Sequence, residues 1–586
     1  MTLISCRGLT KSYGDINVLR DVRLDIAAGE RVGLVGMNGA GKTTLANLIF
    51  GSVRPDEGTI LRGREELKTG YLLQSTSYTA GTFRKMAVDD AQAGANGRFL
   101  ELTSHLGLKK VREWSGERFA GLSGGEKTKL AIAHIWSSKP DLLILDEPTN
   151  HLDFEGVEWL IGELRTFAGA ALIISHDRYF LDRTVNRIVE LEGGASVEYP
   201  GSYTFYREEK ARRFESRLRE YEKRIRYEQK IEAEIDRLDS WSSKAHREAG
   251  KTGKMAEMRA GVKEFYRGKA KKMDRQIKSR TKRLEKLRTE GAEKPEEEAQ
   301  VRFSWDSPDK RGRRIVHADR IGQAFGSRTL FRDSSFSVLL GEKIGLIGKN
   351  GCGKTTLLRM IAGTETPASG QLWVSPAARI AWLTQDVGDL DPRRSVLEQL
   401  QETHALRGEI SKARTLLANM GFDESMLAKP IGQLSLGERT RVKLAELMLL
   451  GHDLLMLDEP TNHLDLASRE RLEETLTEYD GTLLVVSHDR YLLEKICDKL
   501  LVFGDGAVQR SEHGFHAFME RAERERAAPR EDDAQLLAER HMLIGNRIAA
   551  LLGELSLCSP GDALYGALDA EFRQLTEEKK RLQERL

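Results

Sequence analysis

Apolar positions recur along the chain in two different registers. In 1–203 and again in 313–520, short unbroken apolar runs such as RVGLVG, LLILD and ALIIS alternate with stretches whose apolar residues fall three and four apart. Unbroken runs of that length read as strands buried on both faces, and their alternation with helical spacing predicts an α/β fold. Between these regions the runs disappear. Ala211, Phe214, Leu218, Tyr221 and Ile225 recur at alternating threes and fours, and Ile231, Ile235 and Leu238 continue the stripe. Met273, Ile277, Leu284 and Leu287 mark a second stripe. Both are coiled-coil seams, so the spacing predicts helices over Thr204–Asp239 and Lys269–Thr289, folded back as an antiparallel hairpin across 204–290. The first would reach about 50 Å at about 1.5 Å per residue, and the glycines between the two predict an irregular tip.

A second hairpin is expected at 533–586. Leu543, Ile544, Ile548, Leu551 and Leu555 line one helix, SPG makes the turn, and Leu564, Leu568, Phe572, Leu575 and Leu582 line the other. Residues 291–312, opening GAEKPEEEAQ, have the acidic, proline-bearing composition of a connector.

The two α/β regions are copies. GMNGAGKTT at 36–44 returns as GKNGCGKTT at 348–356, LSGGE at 122–126 as LSLGE at 434–438, LLILDEPTNHLD at 142–153 as LLMLDEPTNHLD at 454–465, and SHDRYFL at 175–181 as SHDRYLL at 487–493. Every pair is 312 residues apart. The expected domains are therefore 1–203 and 313–520, with the hairpin inserted between them.

Each copy runs an apolar strand into a glycine-rich loop and then a helix, the context that makes G-x-x-x-x-G-K-T a phosphate loop. Backbone N–H groups around Gly36, Asn38, Gly39 and Gly41, and around Gly348, Asn350, Gly351 and Gly353, would cradle phosphates at a helix N-terminus that Thr44 and Thr356 extend. Lys42 and Lys354 would reach the β- and γ-phosphates, and Thr43 and Thr355 would hold Mg²⁺. Asp146 and Asp458 end buried strands on the Mg²⁺ side. Glu147 and Glu459 follow, where a carboxylate can polarise the attacking water. His176 and His488 follow apolar strands and could sense the γ-phosphate by a hydrogen bond. ATP and Mg²⁺ are thus the expected ligands.

Charge changes the picture of the hairpin. Residues 204–239 carry 11 Lys or Arg and 10 Asp or Glu, whereas 240–290 carry 17 and 6. The chain as a whole is only +2, so everything outside the hairpin sums to −10. Trp241, Lys244, Arg247, Lys251, Lys254, Arg259, Lys263, Phe265 and Tyr266 interleave cations with stackable rings, a pattern suited to a polyanion with stackable bases and making them candidate RNA contacts. The four cysteines (Cys6, Cys352, Cys497 and Cys558) lack metal-ligand spacing, no apolar run approaches about 18 residues, and MTLISCRGLTKSYGD lacks a signal-peptide pattern. A reduced, cytoplasmic protein is expected.

The motif set, from phosphate loop through LSGGE, the carboxylate pair and HLD to the later histidine, resembles the ATP-binding-cassette ATPases. That resemblance implies two shared sites, each closed by the other cassette's signature. Site one would comprise Lys42, Asp146, Glu147 and His176 with Ser435 and Gly437. Site two would comprise Lys354, Asp458, Glu459 and His488 with Ser123, Gly124 and Gly125. It further implies Gln74 and Gln385 as Mg²⁺-side glutamines and Tyr13 and Phe325 as adenine-stacking rings. The second signature departs from the pattern, with Leu436 standing where the first has Gly124. Two fused cassettes joined by a charged hairpin, each with DEPTNHLD, resemble the ABC-F class, and the tip resembles its antibiotic-resistance members of the Vga and Lsa kind. The implied partners are the ribosome, with 23S rRNA and P-site tRNA, and neither membrane nor transmembrane subunit; the cassettes would pair within a monomer. Alternatives at this level are a housekeeping ABC-F translation factor, an ATPase acting on branched or damaged DNA, and a transporter ATPase with membrane partners.

Overall fold

The computed structural model describes residues 1–64, 66–72, 102, 103, 108, 111, 122, 124–150, 152–251, 260–290, 314–326, 328–384, 390–403, 407–462, 464–527, 541, 542, 544, 545, 547–552 and 563–583. Of the expected site residues, Gln74, Ser123, Gln385, Lys254 and Arg259 lie outside these. So do Leu543, Leu555 and the SPG turn of the expected C-terminal hairpin, and the 291–312 connector.

In cassette 1 the buried runs form a six-stranded sheet in the order β5-β6-β7-β3-β8-β9: Thr69–Leu72, Leu142–Asp146, Ala170–Ile174, Arg31–Gly36, Arg187–Glu192 and Ala195–Pro200. The first five are parallel and β9 is antiparallel. All five residues of β6 and of β7 are buried, as their unbroken apolar composition requires. A three-stranded antiparallel sheet of β1 (Thr2–Tyr13), β2 (Ile16–Ala27) and β4 (Glu57–Arg62) packs alongside. Cassette 2 repeats this strand for strand. Its main sheet is β14-β15-β16-β12-β17-β18: Ile380–Leu383, Leu454–Asp458, Thr482–Val486, Lys343–Ile347, Lys499–Gly504 and Ala507–Ser511. Its side sheet joins β10 (Arg314–Phe325), β11 (Arg328–Leu339) and β13 (Ser369–Val374).

Crossover helices cover the sheets. Those that matter for the site are α1 (Lys42–Phe50), α2 (Gly124–Ser137), α3 (Phe154–Thr166) and α4 (Arg178–Thr184) in cassette 1. Their counterparts in cassette 2 are α7 (Lys354–Ile361), α11 (Leu436–Leu449), α12 (Leu466–Glu478) and α13 (Arg490–Ile496), with α8 (Val396–Thr403), α9 (Arg407–Asn419) and α10 (Glu424–Leu427) preceding α11.

The hairpin is α5 (Tyr203–Lys251) against α6 (Ala260–Glu290). Here the structure corrects the expected limits. Both helices run into the tip, so Trp241 and Gly250 lie inside α5 and Gly261 and Gly268 inside α6. Glycine costs a helix roughly 1 kcal/mol relative to alanine. Dense Lys, Arg, Glu, Ala and Met on either side, with a partner helix to pack on, outweigh that. At 49 residues α5 spans about 73 Å, not about 50 Å. The seam is thin: Ile231, Ala245, Ala270 and Leu284 are buried, and between Ile225 and Ile231 its place is taken by a charge, Glu228, with Arg224 at 2.9 Å and Arg288 at 3.9 Å. Polar staples hold the helices in register, including Arg280 to Glu234 at 2.8 Å and the buried Ser242 hydroxyl donating to Asp274 at 2.6 Å.

Beyond cassette 2 come α14 (Phe515–Ala527) and α15 (Ala563–Gln583). Helical residues 547–552 face α15, with Arg547 Nε 3.1 Å from Glu571. No helix among the described residues is long and apolar enough to cross a membrane.

Candidate nucleotide sites

The chemistry gathers at the carboxyl ends of three adjacent parallel strands in each cassette, where an open α/β sheet presents its ligand crevice. From β3 the chain enters the phosphate loop, in which Gly36, Gly39 and Gly41 take φ of 153°, 81° and 96°. A Cβ on Gly36 would lie 2.6 Å from the Leu191 carbonyl oxygen, so only glycine lets the loop turn there. Gly348 repeats this, 2.6 Å from Phe503 Cβ. Lys42 and Lys354 open α1 and α7 and are buried. Lys42 Nζ donates to the carbonyls of Gly36 (2.7 Å) and Met37 (2.9 Å), and Lys354 to that of Gly348 (2.8 Å). Burial lowers the Lys42 pKa, against the pull of Glu147.

Asp146 and Asp458 end β6 and β15. Thr43 Oγ1 donates to Asp146 Oδ2 at 2.8 Å, and Thr355 Oγ1 to Asp458 Oδ2 at 2.9 Å. The other oxygen of each aspartate is buried with no hydrogen-bond partner. One hydroxyl beside one carboxylate with a free oxygen fits a nucleotide-borne Mg²⁺, which takes few protein ligands because phosphate and water supply the rest. Consistent with that, no group of three or more His, Cys, Asp or Glu among the described residues could hold a metal alone.

Glu147 and Glu459 sit one residue further on, at φ of 51° and 53°. A left-handed conformation is uncommon outside glycine, and here the same strain recurs at the same position of both copies. Burial pushes Glu147 up to about 7, against the pull of Arg469, and pushes Glu459 up to about 8, against Lys354. Such carboxyls are poised to exchange a proton near neutral pH. His176 Nε2 lies 3.6 Å from Glu147 and His488 Nε2 3.7 Å from Glu459. Burial, with the nearby lysine, holds both histidines neutral, His488 at about 3. His488 Nε2 also lies 3.1 Å from Asn350 Oδ1 and 3.3 Å from Lys354 Nζ, so histidine, lysine and phosphate loop converge.

The remaining expected residues are placed as follows. Tyr13 and Phe325 end β1 and β10 with exposed rings. Gly124 and Gly125 open α2, and Gly437 lies in the first turn of α11, whose N-cap is Ser435. A capping box with Glu438 closes that end, and Leu436 follows with its side chain exposed. At the hairpin's far end Trp241 and Phe265 are exposed, Lys244 and Arg247 point to solvent, and the Phe265 and Tyr266 rings meet edge-on at 5.7 Å. Lys251 and Lys263 lie on α5 and α6.

Sequence reasoning missed the residues that join the cassettes. Asp153 N-caps α3 through Gly156 N (3.0 Å) while its other oxygen accepts from Asn350 N of the opposite phosphate loop at 3.2 Å. Asp465 does the same for α12 and Asn38 N at 3.0 Å. Phe154 stacks edge-on against His488 at 5.4 Å. Arg178 forms a buried pair with Glu473, and Arg490 reaches Glu158 at 2.6 Å with its guanidinium 3.8 Å from the Tyr179 ring. The one available signal was the recurrence of Asp at the end of HLD in both copies; the partners it would find 197 residues away were not readable.

Two phosphate loops, each with its own carboxylate pair and histidine and each touched by the other cassette, define a paired-cassette nucleoside-triphosphatase. Comparison with known proteins narrows the class. A family profile described as ABC transporter matches residues 19–150 and 331–462, and a second of the same description matches 189–264. The chain is 40% identical to the ribosome protection protein VmlR of Bacillus subtilis, over 99% of this chain and 98% of that one. It is 31% identical to the energy-dependent translational throttle protein EttA of Mycobacterium tuberculosis, over 86% and 91%. An archaeal ribosome recycling factor, aABCE1, solved with the stalk protein aP1, superposes with a TM-score of 0.60 at 20% identity, over 88% of this chain and 92% of that one; at that identity it attests the fold alone. The chain belongs to the ABC-F family of tandem ATP-binding-cassette proteins, and it is an ATP hydrolase.

Proposed function

We propose that this protein is a cytoplasmic ribosome-acting ATPase that uses its hairpin to protect the peptidyl-transferase centre from antibiotics. ATP binds between the cassettes. Its phosphates draw on Lys42 and Lys354, and the signature serines and glycines of the opposite cassette complete each site. Thr43 and Asp146 in site one, and Thr355 and Asp458 in site two, would hold Mg²⁺, with Gln74 and Gln385 on the same side; the ion when bound neutralises phosphate charge. Glu147 and Glu459 accept a proton from the attacking water, while neutral His176 and His488 report the γ-phosphate. ATP touches both halves only when they are closed, so binding favours the closed form and hydrolysis releases it.

The observation that carries the ribosomal reading is the hairpin itself. It concentrates a net +11 in 240–290, with exposed Trp241 and Phe265, at the end of a helix about 73 Å long. Cations there would neutralise phosphates and the rings would stack on unpaired bases near the exit-site face and P-site tRNA. Full-length likeness to a ribosome protection protein supports the antibiotic role over a housekeeping one.

The test replaces residues 241–266 by a short Gly/Ser turn, which removes Trp241, Phe265 and Tyr266 with the cations between them and keeps the Arg280–Glu234 staple. Basal ATPase should be unchanged, while protection of a susceptible host against drugs of the peptidyl-transferase centre is lost. Unchanged protection with unchanged ATPase overturns the reading. Co-sedimentation of the Glu147→Gln/Glu459→Gln chain with ribosomes in ATP separates a ribosomal from a DNA role.

A further inference from the structure

Helix α12 begins against site one. Its N-cap Asp465 accepts from Ser468 N at 2.8 Å and from Asn38 N of the opposite phosphate loop at 3.0 Å, so the loop 464–465 is part of the floor of that site. One turn on stands Arg469, buried to 8% exposure. Its Nε donates to the Leu464 carbonyl at 3.1 Å and its Nη1 lies 3.4 Å from Asp489 Oδ2. A single rigid guanidinium thus ties the loop that touches Asn38 to the residue after His488. Asp489 is itself shared across the interface, 3.7 Å from Arg178 Nη2.

The position 312 residues earlier is Val157, buried and with a side chain that cannot donate. Asp153 makes the mirror contact to Asn350, and the apolar Val157 side chain offers it no equivalent brace. The charge also acts across the interface: after burial, Arg469 is the strongest influence on Glu147, whereas the strongest on Glu459 is Lys354 of its own cassette.

We propose that Arg469, supplied in trans by cassette 2, is a positioning residue for ATP hydrolysis in site one, and that site two works without a counterpart. By holding the 464–465 loop it fixes Asn38 and the phosphate loop. Its buried charge adds to the field in which the γ-phosphate shifts its charge, where a preorganised cation acts most strongly. The two sites are thus inequivalent by construction even though their phosphate loops and carboxylates match.

The inference rests on the assignment of Glu147 and Glu459 as the hydrolytic carboxylates, which isolate the sites. In the full chain, Glu459→Gln leaves site one active and Glu147→Gln leaves site two. Arg469→Met should lower kcat of the Glu459→Gln chain about tenfold or more with KM within about twofold, since it disturbs the transition state rather than ATP binding. The same change should lower kcat of the Glu147→Gln chain several-fold less, because in site two Arg469 meets only Asp489, the residue after His488. Arg469→Lys, which keeps the charge but not the fork, should recover part of the loss. Equal losses in both backgrounds, or no loss in site one, overturn the proposal. Should Arg469→Met fail to fold, Arg469→Lys decides: a loss clearly larger in the site-one background upholds the proposal, and equal losses or none overturn it. The Glu147→Gln/Glu459→Gln chain reports separately on the carboxylates, because turnover surviving it overturns that assignment and the inference with it.

Discussion

Cassette 1 and cassette 2 share a topology strand for strand, yet they differ where they meet. The phosphate loops, the Thr–Asp hydrogen bonds at 2.8 and 2.9 Å and the left-handed glutamates repeat almost atom for atom. On the two helices whose N-caps reach the opposite phosphate loops, α3 carries Phe154, Val157 and Ile161, whereas α12 carries Leu466, Arg469 and Glu473 at the equivalent positions. The chemistry is duplicated and the closure is not. A reaction centre tolerates little change because its geometry is set by the nucleotide. An interface between two halves of one chain can drift, provided each change is answered by its partner.

The duplicated chemistry predicts the largest effect. Glu147→Gln with Glu459→Gln should lower ATP turnover by about 10²–10⁴-fold, the usual worth of a positioned acid–base group, while ATP binding persists because Lys42, Lys354 and both loops remain. Steady-state ATPase and nucleotide binding on the same chain check it. Turnover at the wild-type rate would mean that the matching strain at both glutamates serves something other than hydrolysis.

The divergent interface predicts the next. Glu473→Ala leaves the Arg178 guanidinium buried at 9% side-chain exposure with its main partner gone. Stranding one member of a buried pair typically costs about 3–5 kcal/mol, so ATP-driven closure should weaken steeply. Arg178→Met with Glu473→Ile gives α12 the apolar residue that α3 carries at Ile161. Replacing both partners by apolar groups is often close to neutral, so the double variant should close nearly as well as the parent. Small-angle scattering with and without ATP reads both. A double variant as defective as the single one would show the pair to be more than an interchangeable solution to burial.

A third difference lies outside the interface. In cassette 1 one cation serves two carboxylates: Arg187 lies 2.8 Å from Glu30 and 2.9 Å from Glu198. In cassette 2 the equivalent Glu342 is served by two cations, Lys499 and Arg510. Burial alone would raise Glu342, but the hydrogen bonds from Arg510, Lys499 and Leu339 N hold it down at about 2. An unfolded glutamate titrates near 4.3, so this carboxylate stabilises the folded state fully above that pH. The contribution fades as pH falls from about 4 toward about 2. Thermal unfolding followed across that window should show a steeper acid loss in the parent than in Glu342→Gln, and parallel losses would contradict the assignment.

How much of this the sequence shows depends on how local each determinant is. The phosphate loops were legible because strand, glycine turn and lysine are contiguous, so local backbone requirements write themselves into neighbouring letters. The sheet was legible for the same reason, through buried runs such as LLILD. The hairpin was legible as a seam, but its tip was misplaced because glycine signals were weighed without the partner helix that stabilises 241–251 and 260–268. Asp153, Asp465, Arg178 and Glu473 act through partners 197 to 427 residues away, and a lone acidic or basic letter on a helix looks like any solvated residue.

The smallest expected effect concerns the signatures. Leu436 stands where cassette 1 has Gly124, and a side chain in place of glycine can hinder the close approach of backbone to phosphate. The helix it opens is nonetheless well formed, with Ser435 accepting from Glu438 N at 3.3 Å and Glu438 from Ser435 N at 2.7 Å. The Leu436 side chain is 41% exposed, so it stands away from the core and the capping box sets the backbone. Leu436→Gly therefore removes little steric bulk from the site, while adding glycine's entropic cost of roughly 0.5–1 kcal/mol to a helix start. In the Glu459→Gln chain, which isolates site one, turnover should change by no more than about twofold, and upward if the leucine hinders at all. A rise of tenfold would make the signature, rather than the facing helices, the main source of inequality between the sites.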